Sequence, residues 1–308
     1  MVERLVIARL GVRGDGIVDT PAGAVYVPYT LPDEIAEVEQ WPGHPDRRHL
    51  VAVDVASPDR IAPICPHFTV CGGCALQHLA TARYRDWKRA LVTGALAQAG
   101  LDAPVDDLID AHGEGRRRAV FHARRSPRDV LEVGFAALRA HRVVAIDRCP
   151  ILGPGLSGAI ETAWAVAEVL TGLRKSLDIQ VTETDAGLDV DIRGSGALTA
   201  ATMAELAQVA ARRRLARLTR HGEIVAQRAA PALQIGRARL LLPAGAFLQA
   251  TVAGEAALAR LVAEHCEGAG APYSTPGAAR TTCLRSASPR SERIAWWRST
   301  AAPFSRPD

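Results

Sequence analysis

No run of apolar residues in this 308-residue sequence is long enough to span a bilayer as a helix. The first residues, MVERLVIARLG, lack the basic stretch and apolar core of a secretory leader. Cysteine is scarce, with six in the chain, and it is clustered rather than spread along it. Without a leader, that usage predicts a reducing cytoplasm and argues against a disulfide framework. An excess of charge is missing too. The net charge is +4, but residues 268–308 carry six arginines against Glu292 and Asp308, which accounts for all of it. Global charge therefore says nothing about a nucleic-acid partner, and only local clusters can carry that argument. Residues 268–308 also lack lysine and any apolar periodicity, and their Arg, Ser, Pro, Ala and Thr predict a disordered tail. The whole chain, 48% hydrophobic and 23% charged, is long enough for two or three globular domains.

The stretch Cys65-Pro66-His67-Phe68-Thr69-Val70-Cys71-Gly72-Gly73-Cys74-Ala75-Leu76-Gln77-His78 stands out. Three cysteines spaced C-x5-C-x2-C, with glycines that let the backbone fold back, can converge on one point. Cys149, in Asp147-Arg148-Cys149-Pro150, supplies a fourth. Four thiolates suit an iron–sulfur cluster or a tetrahedral zinc. Zinc sites more often pair two C-x2-C knuckles, which favours the cluster, and four buried free thiols are the plain alternative.

The motif CPHFTVCGGCALQH with a distant Asp-Arg-Cys-Pro resembles the iron–sulfur motif of the bacterial uracil-5 RNA methyltransferases, especially those of 23S ribosomal RNA. The resemblance extends over about residues 1–267. It implies a multi-domain chain, S-adenosylmethionine as methyl donor, a 4Fe-4S cluster on Cys65, Cys71, Cys74 and Cys149, an RNA partner and a monomer. Residues 1–60 are expected to form an OB-like TRAM β-barrel, with Pro32-Asp33-Glu34 where the family usually has Pro-Gly-Glu. Short strands between glycine turns, at 2–9, 24–27, 35–38 and 50–55, agree with a small closed barrel. Residues 61–245 are expected to be the α+β iron–sulfur domain, and 246–267 only the beginning of an α/β, Rossmann-like methyltransferase domain.

Within the central region, periodicity predicts helices at about 79–100, 155–172 and 201–211. Strands are predicted near 131–147, 178–184, 188–193, 215–219, 223–228 and 232–242. Tyr84, Trp87, Leu91 and Leu96 share a face of the first helix. In the family that segment packs on the catalytic domain, so the face is expected to lack a partner here. Gly115-Arg116-Arg117-Arg118-Ala119-Val120-Phe121 is the densest basic patch. On a strand, Arg116 and Arg118 share one face, where they suit phosphate contact, and Arg117 takes the other. A solvated strand edge fits the same pattern. Arg212-Arg213-Arg214 reads as a solvated helix end. His67, His78 and His122 have no spacing that favours a special role.

Phe247-Leu248-Gln249-Ala250-Thr251 resembles the family's Phe-x-Gln-x-Asn element, which implies that Gln249 lines the S-adenosylmethionine pocket; Thr251 stands where asparagine is commoner. The glycine-rich cofactor turn, the catalytic cysteine and the carboxylate that should follow do not appear. Neither Cys266 nor Cys283 has the catalytic context, so no catalytic residue is assigned. Tryptophan has one codon, and a neighbouring frame through Trp296-Trp297 can read as an apolar strand ending in an acid. A frameshift near residue 270 is therefore expected, and a chain that is inactive alone. A non-catalytic RNA-binding module with an iron–sulfur or zinc centre is the alternative.

Overall fold

Alternating burial in the first sixty residues sets the N-terminal architecture. The computed structural model describes residues 2–138, 140, 142–170 and 176–266; the expected tail and frameshift lie outside these residues. Strands β1 (Val2–Val6), β2 (Arg9–Leu10), β3 (Asp15–Thr20), β4 (Gly23–Pro28), β5 (Ile35–Trp41) and β6 (His44–Val55) form one sheet in the order β1-β5-β6-β4-β3-β2. Its two ends are successive halves of one bent strand. Ile7 donates to the Glu34 carbonyl on one side, and Ala8 donates to Ile17 on the other. The sheet therefore curls around Ile7, Val27, Ala36 and Val38. The strand expected over 2–9 is broken at this bend.

Helix α1 (Thr81–Gln98) ends in a Schellman turn. Leu101 donates to Leu96 O and Gly100 to Ala97 O, with Gly100 at φ +72°. None of its residues is fully buried. Tyr84, Trp87, Leu91 and Leu96 of its apolar stripe are half-buried, and the extended chain after the helix folds back along it. Arg85 and Arg89 bond the carbonyls of Leu108 and Val105.

The second sheet joins β7 (Arg118–Arg125), β8 (Leu131–Ala136), β9 (Val143–Ala145), β10 (Leu177–Thr184), β11 (Gly187–Arg193), β12 (Arg217–Arg220) and β13 (Glu223–Gln227). Its order is β13-β12-β11-β10-β7-β8-β9. All pairings are antiparallel except β11 with β12, which helix α3 (Ala200–Arg212) connects. Helix α2 (Ala159–Val169), shorter than expected because Pro154–Leu156 form a separate 3-10 turn, packs with α3 on this sheet. Ala119, Phe121 and Ala123 of β7 enter that core, so by strand alternation Arg118 and Val120 point away from it. The single strand expected over 232–242 is instead a hairpin, β14 (Ala232–Ile235) and β15 (Ala238–Leu241), turned at Gly236 with φ +57°. Helix α4 (Val252–His265) ends the described chain. Among the described residues no helix is long and apolar enough to cross a membrane.

Candidate metal centre and its surroundings

The cysteine loop docks on the β8–β9 hairpin through its glycine. Gly72 donates to Ala136 O at 2.9 Å, and Cys71 bridges to Ala137. A Cβ at Gly72 would meet Ala136 O and Leu138 N at 2.8 Å, so only glycine allows this approach. Thr69 turns the loop at φ +76°. On the other side, Phe68 packs edge-on to Tyr29 and also against His78, which ties the loop to the curled sheet. Beneath that contact, Glu34 takes Arg60 and the amides of Leu31 and Ser57. Burial alone would raise the Glu34 pKa, but these bonds outweigh it and hold the carboxyl below its usual range.

Cys149 arrives from the far end of β9. Arg116 donates to Ile151 O at 2.8 Å and accepts from Gly153 at 2.7 Å, which fixes the turn that carries Cys149. Gly115 makes this possible: at φ +111°, a Cβ there would lie 2.8 Å from Ile151 O. His67 Nε2 and Asp147 Oδ1 meet at 2.9 Å, a second tie between cysteine loop and Cys149 turn. That bond, first among several causes, lowers the Asp147 pKa.

Cys65, Cys71, Cys74 and Cys149 all line one cavity of about 280 Å³. The pKa of Cys71 is raised, first by burial and then by Cys74, Cys149 and Cys65 nearby, against the amide of Gly73. Burial likewise raises Cys149. Left bare, Cys71 and Cys149 favour the protonated thiol, and a bound cation would reverse that. Among the described residues no three His, Cys, Asp or Glu side chains close on a point as a single-ion site would require.

Arg116 and Arg118 line the same cavity, although the strand expected to carry both begins only at Arg118. Arg118 is half-buried, and its Cζ sits 5.3 Å from the centre of the Phe247 ring. Burial, and then the neighbouring Arg116, lower its pKa. Gln77 accepts from the Cys65 amide at 3.1 Å, while its own buried Nε2 has no protein partner.

Arg117 points elsewhere, into a buried ion pair. Its Nη2 lies 2.8 Å from Glu255 Oε2, its Nε donates to Gln249 O, and its amide donates to Ala250 O. The middle arginine therefore anchors the segment that carries Gln249, itself half-buried. Thr251 caps α4, accepting from Gly254 at 2.9 Å, and donates to Ala111 O at 2.5 Å. A threonine hydroxyl does there what an asparagine side chain also does at a helix N-cap. Sequence reasoning missed Glu255, Gln77 and the His67–Asp147 pair. Only the middle place of Arg117 in its triplet hinted at a different role.

No protein-family model matches the chain. An uncharacterized RNA methyltransferase of Brucella suis is 37% identical over 262 residues, covering 85% of this chain and 62% of that protein. A counterpart in Mesorhizobium japonicum is 38% identical over 265 residues. The 23S rRNA (uracil(1939)-C(5))-methyltransferase RlmD of Halomonas elongata is 34% identical over 62% of this chain and 41% of its own length. The chain belongs to the uracil-C5 RNA methyltransferase family. It spans about 62% of the length of the Brucella relative. The fold agrees with a solved member, the Pyrococcus abyssi tRNA (uracil-54, C5)-methyltransferase in complex with S-adenosyl-L-homocysteine. That match has a TM-score of 0.60 at 20% identity, over 85% of this chain and 64% of the other.

Proposed function

We propose that this chain is the RNA-handling and cluster-bearing part of a cytoplasmic S-adenosylmethionine-dependent methyltransferase that forms 5-methyluridine, with 23S ribosomal RNA as substrate and the chain a monomer. The single observation that carries the reading is the ring of four cysteines around one cavity, drawn from two segments of a chain related to RlmD. Residues 1–60 act as an OB-like TRAM barrel, 61–245 as the iron–sulfur domain, and 246–267 as the entry to the catalytic domain.

Cys65, Cys71, Cys74 and Cys149 hold a 4Fe-4S cluster in this reading. The chemistry of the donors fits: four half-buried thiols that line one cavity and feel one another's charge. Such a cluster, when bound, supplies a fixed charge and a one-electron couple. To hold it, Cys71 and Cys149 would release their protons to solvent, and the Gly73 amide, 3.4 Å from Cys71 Sγ, would steady the thiolate. Arg116 and Arg118 place positive charge beside the cavity, and exposed Arg116 is the one that reaches RNA phosphates. Gln249, clamped through its carbonyl by Arg117, lines the S-adenosylmethionine pocket.

Methylation at C5 of uracil needs a thiolate to add to C6, so that C5 attacks the sulfonium methyl, and a base to remove the C5 proton. No residue among 2–266 is assigned to either task, and the 308-residue chain alone transfers no methyl group. Anaerobic purification tests both halves of the reading. Broad brown absorption with iron and sulfide is expected, together with no transfer of labelled methyl to unmodified ribosomal RNA. A colourless protein holding one equivalent of zinc overturns the cluster. Turnover by the purified chain overturns the assignment of catalysis elsewhere.

A further inference from the structure

Arg118 is a half-buried cation that makes no ion pair with any carboxylate among the described residues. Its two described surroundings are the wall of the cysteine cavity and the face of Phe247. A guanidinium withdrawn from water needs a negative partner, or its desolvation goes uncompensated. Its neighbour Arg116 makes the need greater, being a second positive charge on the same wall. Four thiolates around a dicationic core leave a net dianion in that cavity, which is the complement the two arginines lack.

The other contact gives this charge a mechanical consequence. Phe247 is more than half exposed, so the Arg118 guanidinium is a main hold on its ring. Phe247 begins the run through Gln249 to Thr251, the cap of α4. The hold on this run from behind is Arg117, through the carbonyls of Gln249 and Ala250. Adjacent arginines thus grip the segment from two sides, and one of them faces the cysteines.

We propose that Arg118 is the counter-ion of the four-cysteine centre and, through the Phe247 ring, makes the order of residues 247–251 depend on whether that centre is loaded. This rests on the cluster reading above and extends it: Arg118 is a positioning residue that links the centre to the cofactor-proximal segment. Arg116, which is exposed, remains the phosphate contact.

The test uses the full chain, purified anaerobically, with three readouts: iron content, midpoint potential, and hydrogen exchange of the peptide spanning 244–256. In wild type, loading is expected to slow exchange at Gly254 and Glu255, whose amides bond to Thr251, by at least about tenfold relative to chelator-stripped protein. Arg118→Gln is expected to keep iron, shift the potential to more negative values because a nearby cation no longer favours the added electron, and lose most of the slowing. Arg118→Lys, which keeps the charge without the planar stacking surface, is expected to keep iron and a near-native potential while still losing much of the slowing. Iron lost from Arg118→Gln but kept by Arg118→Lys supports the counter-ion role equally. Unchanged potential and exchange in an iron-replete Arg118→Gln protein overturn the proposal while leaving the cluster standing, as does iron loss from both variants. A wild type without iron overturns the cluster reading and this one with it.

Discussion

Replacing Arg117 with Met should release helix α4 without melting the rest of the molecule. The Arg117–Glu255 pair is almost fully withdrawn from water, with side-chain exposures of 4% and 8%. Removing one partner of such a pair strands the other, at a cost of about 3–5 kcal/mol. The protein has a way to avoid that cost. Glu255 is the one fully buried residue of α4, so lifting the helix away exposes little apolar surface and rehydrates the carboxylate. Local opening therefore becomes the dominant response, made easier by the lost bond to Gln249 O. At about 1.4 kcal/mol per tenfold change, even the lower bound corresponds to a roughly hundredfold faster exchange of α4 amides. The melting of the second sheet, read by urea denaturation, should move much less. Arg117→Met combined with Glu255→Leu should recover most of the protection, since no lone charge is left behind. Exchange over 252–265 that changes less than about threefold in Arg117→Met would falsify this account of what holds the helix.

Acid should weaken the junction between the curled sheet and the cysteine loop through His78. Burial first, and then Arg60, push its pKa from 6.5 down to about 4, so the unfolded chain binds this proton at a higher pH than the folded one. Stability is therefore full above about pH 6.5 and falls towards pH 4, by about 3 kcal/mol in total. Urea midpoints of His78→Leu should be flatter across that window, and an unchanged slope refutes the assignment. Glu34 acts at lower pH: its depressed pKa gives stability that is present above about 4.5 and lost below it, and Glu34→Gln should remove that second acid limb. Arg116→Ala should lower the salt dependence of RNA binding by about one in the log–log slope, and binding curves that superimpose return Arg116 to a solvated edge.

Much of this was legible in the chain because the signals are local. The spacing of Cys65, Cys71 and Cys74, the glycines that fold their loop, and the period of α1 and α3 all lie within a few turns of sequence. Cys149 was found because its Asp-Arg-Cys-Pro setting is itself distinctive. Arg117 escaped, since alternation on a strand says which face it takes but not that Glu255 waits there. The hairpin at Gly236 escaped as well, because a single glycine inside an apolar run reads as a continuous strand until the chain is seen to turn. Gln77 looked like one more polar residue of a motif; only burial reveals an amide nitrogen with nothing to bond. The bend at Ile7-Ala8, which lets one strand pair with both ends of its own sheet, leaves no mark in composition.

One consequence follows from where the fourth cysteine sits. Cys149 lies 75 residues beyond Cys74, and α1, β7, β8 and β9 all fall between them. Any group bound to both closes that stretch into a ring. Loop-closure entropy then takes about 4 kcal/mol of freedom from the unfolded chain, in the manner of a cross-link. Helix α1, which buries no residue of its own, is tied down at both ends by this ring rather than by a core. If that group is the cluster proposed above, the lifetime of the protein in the cell should follow the supply of iron and shorten with exposure to oxygen.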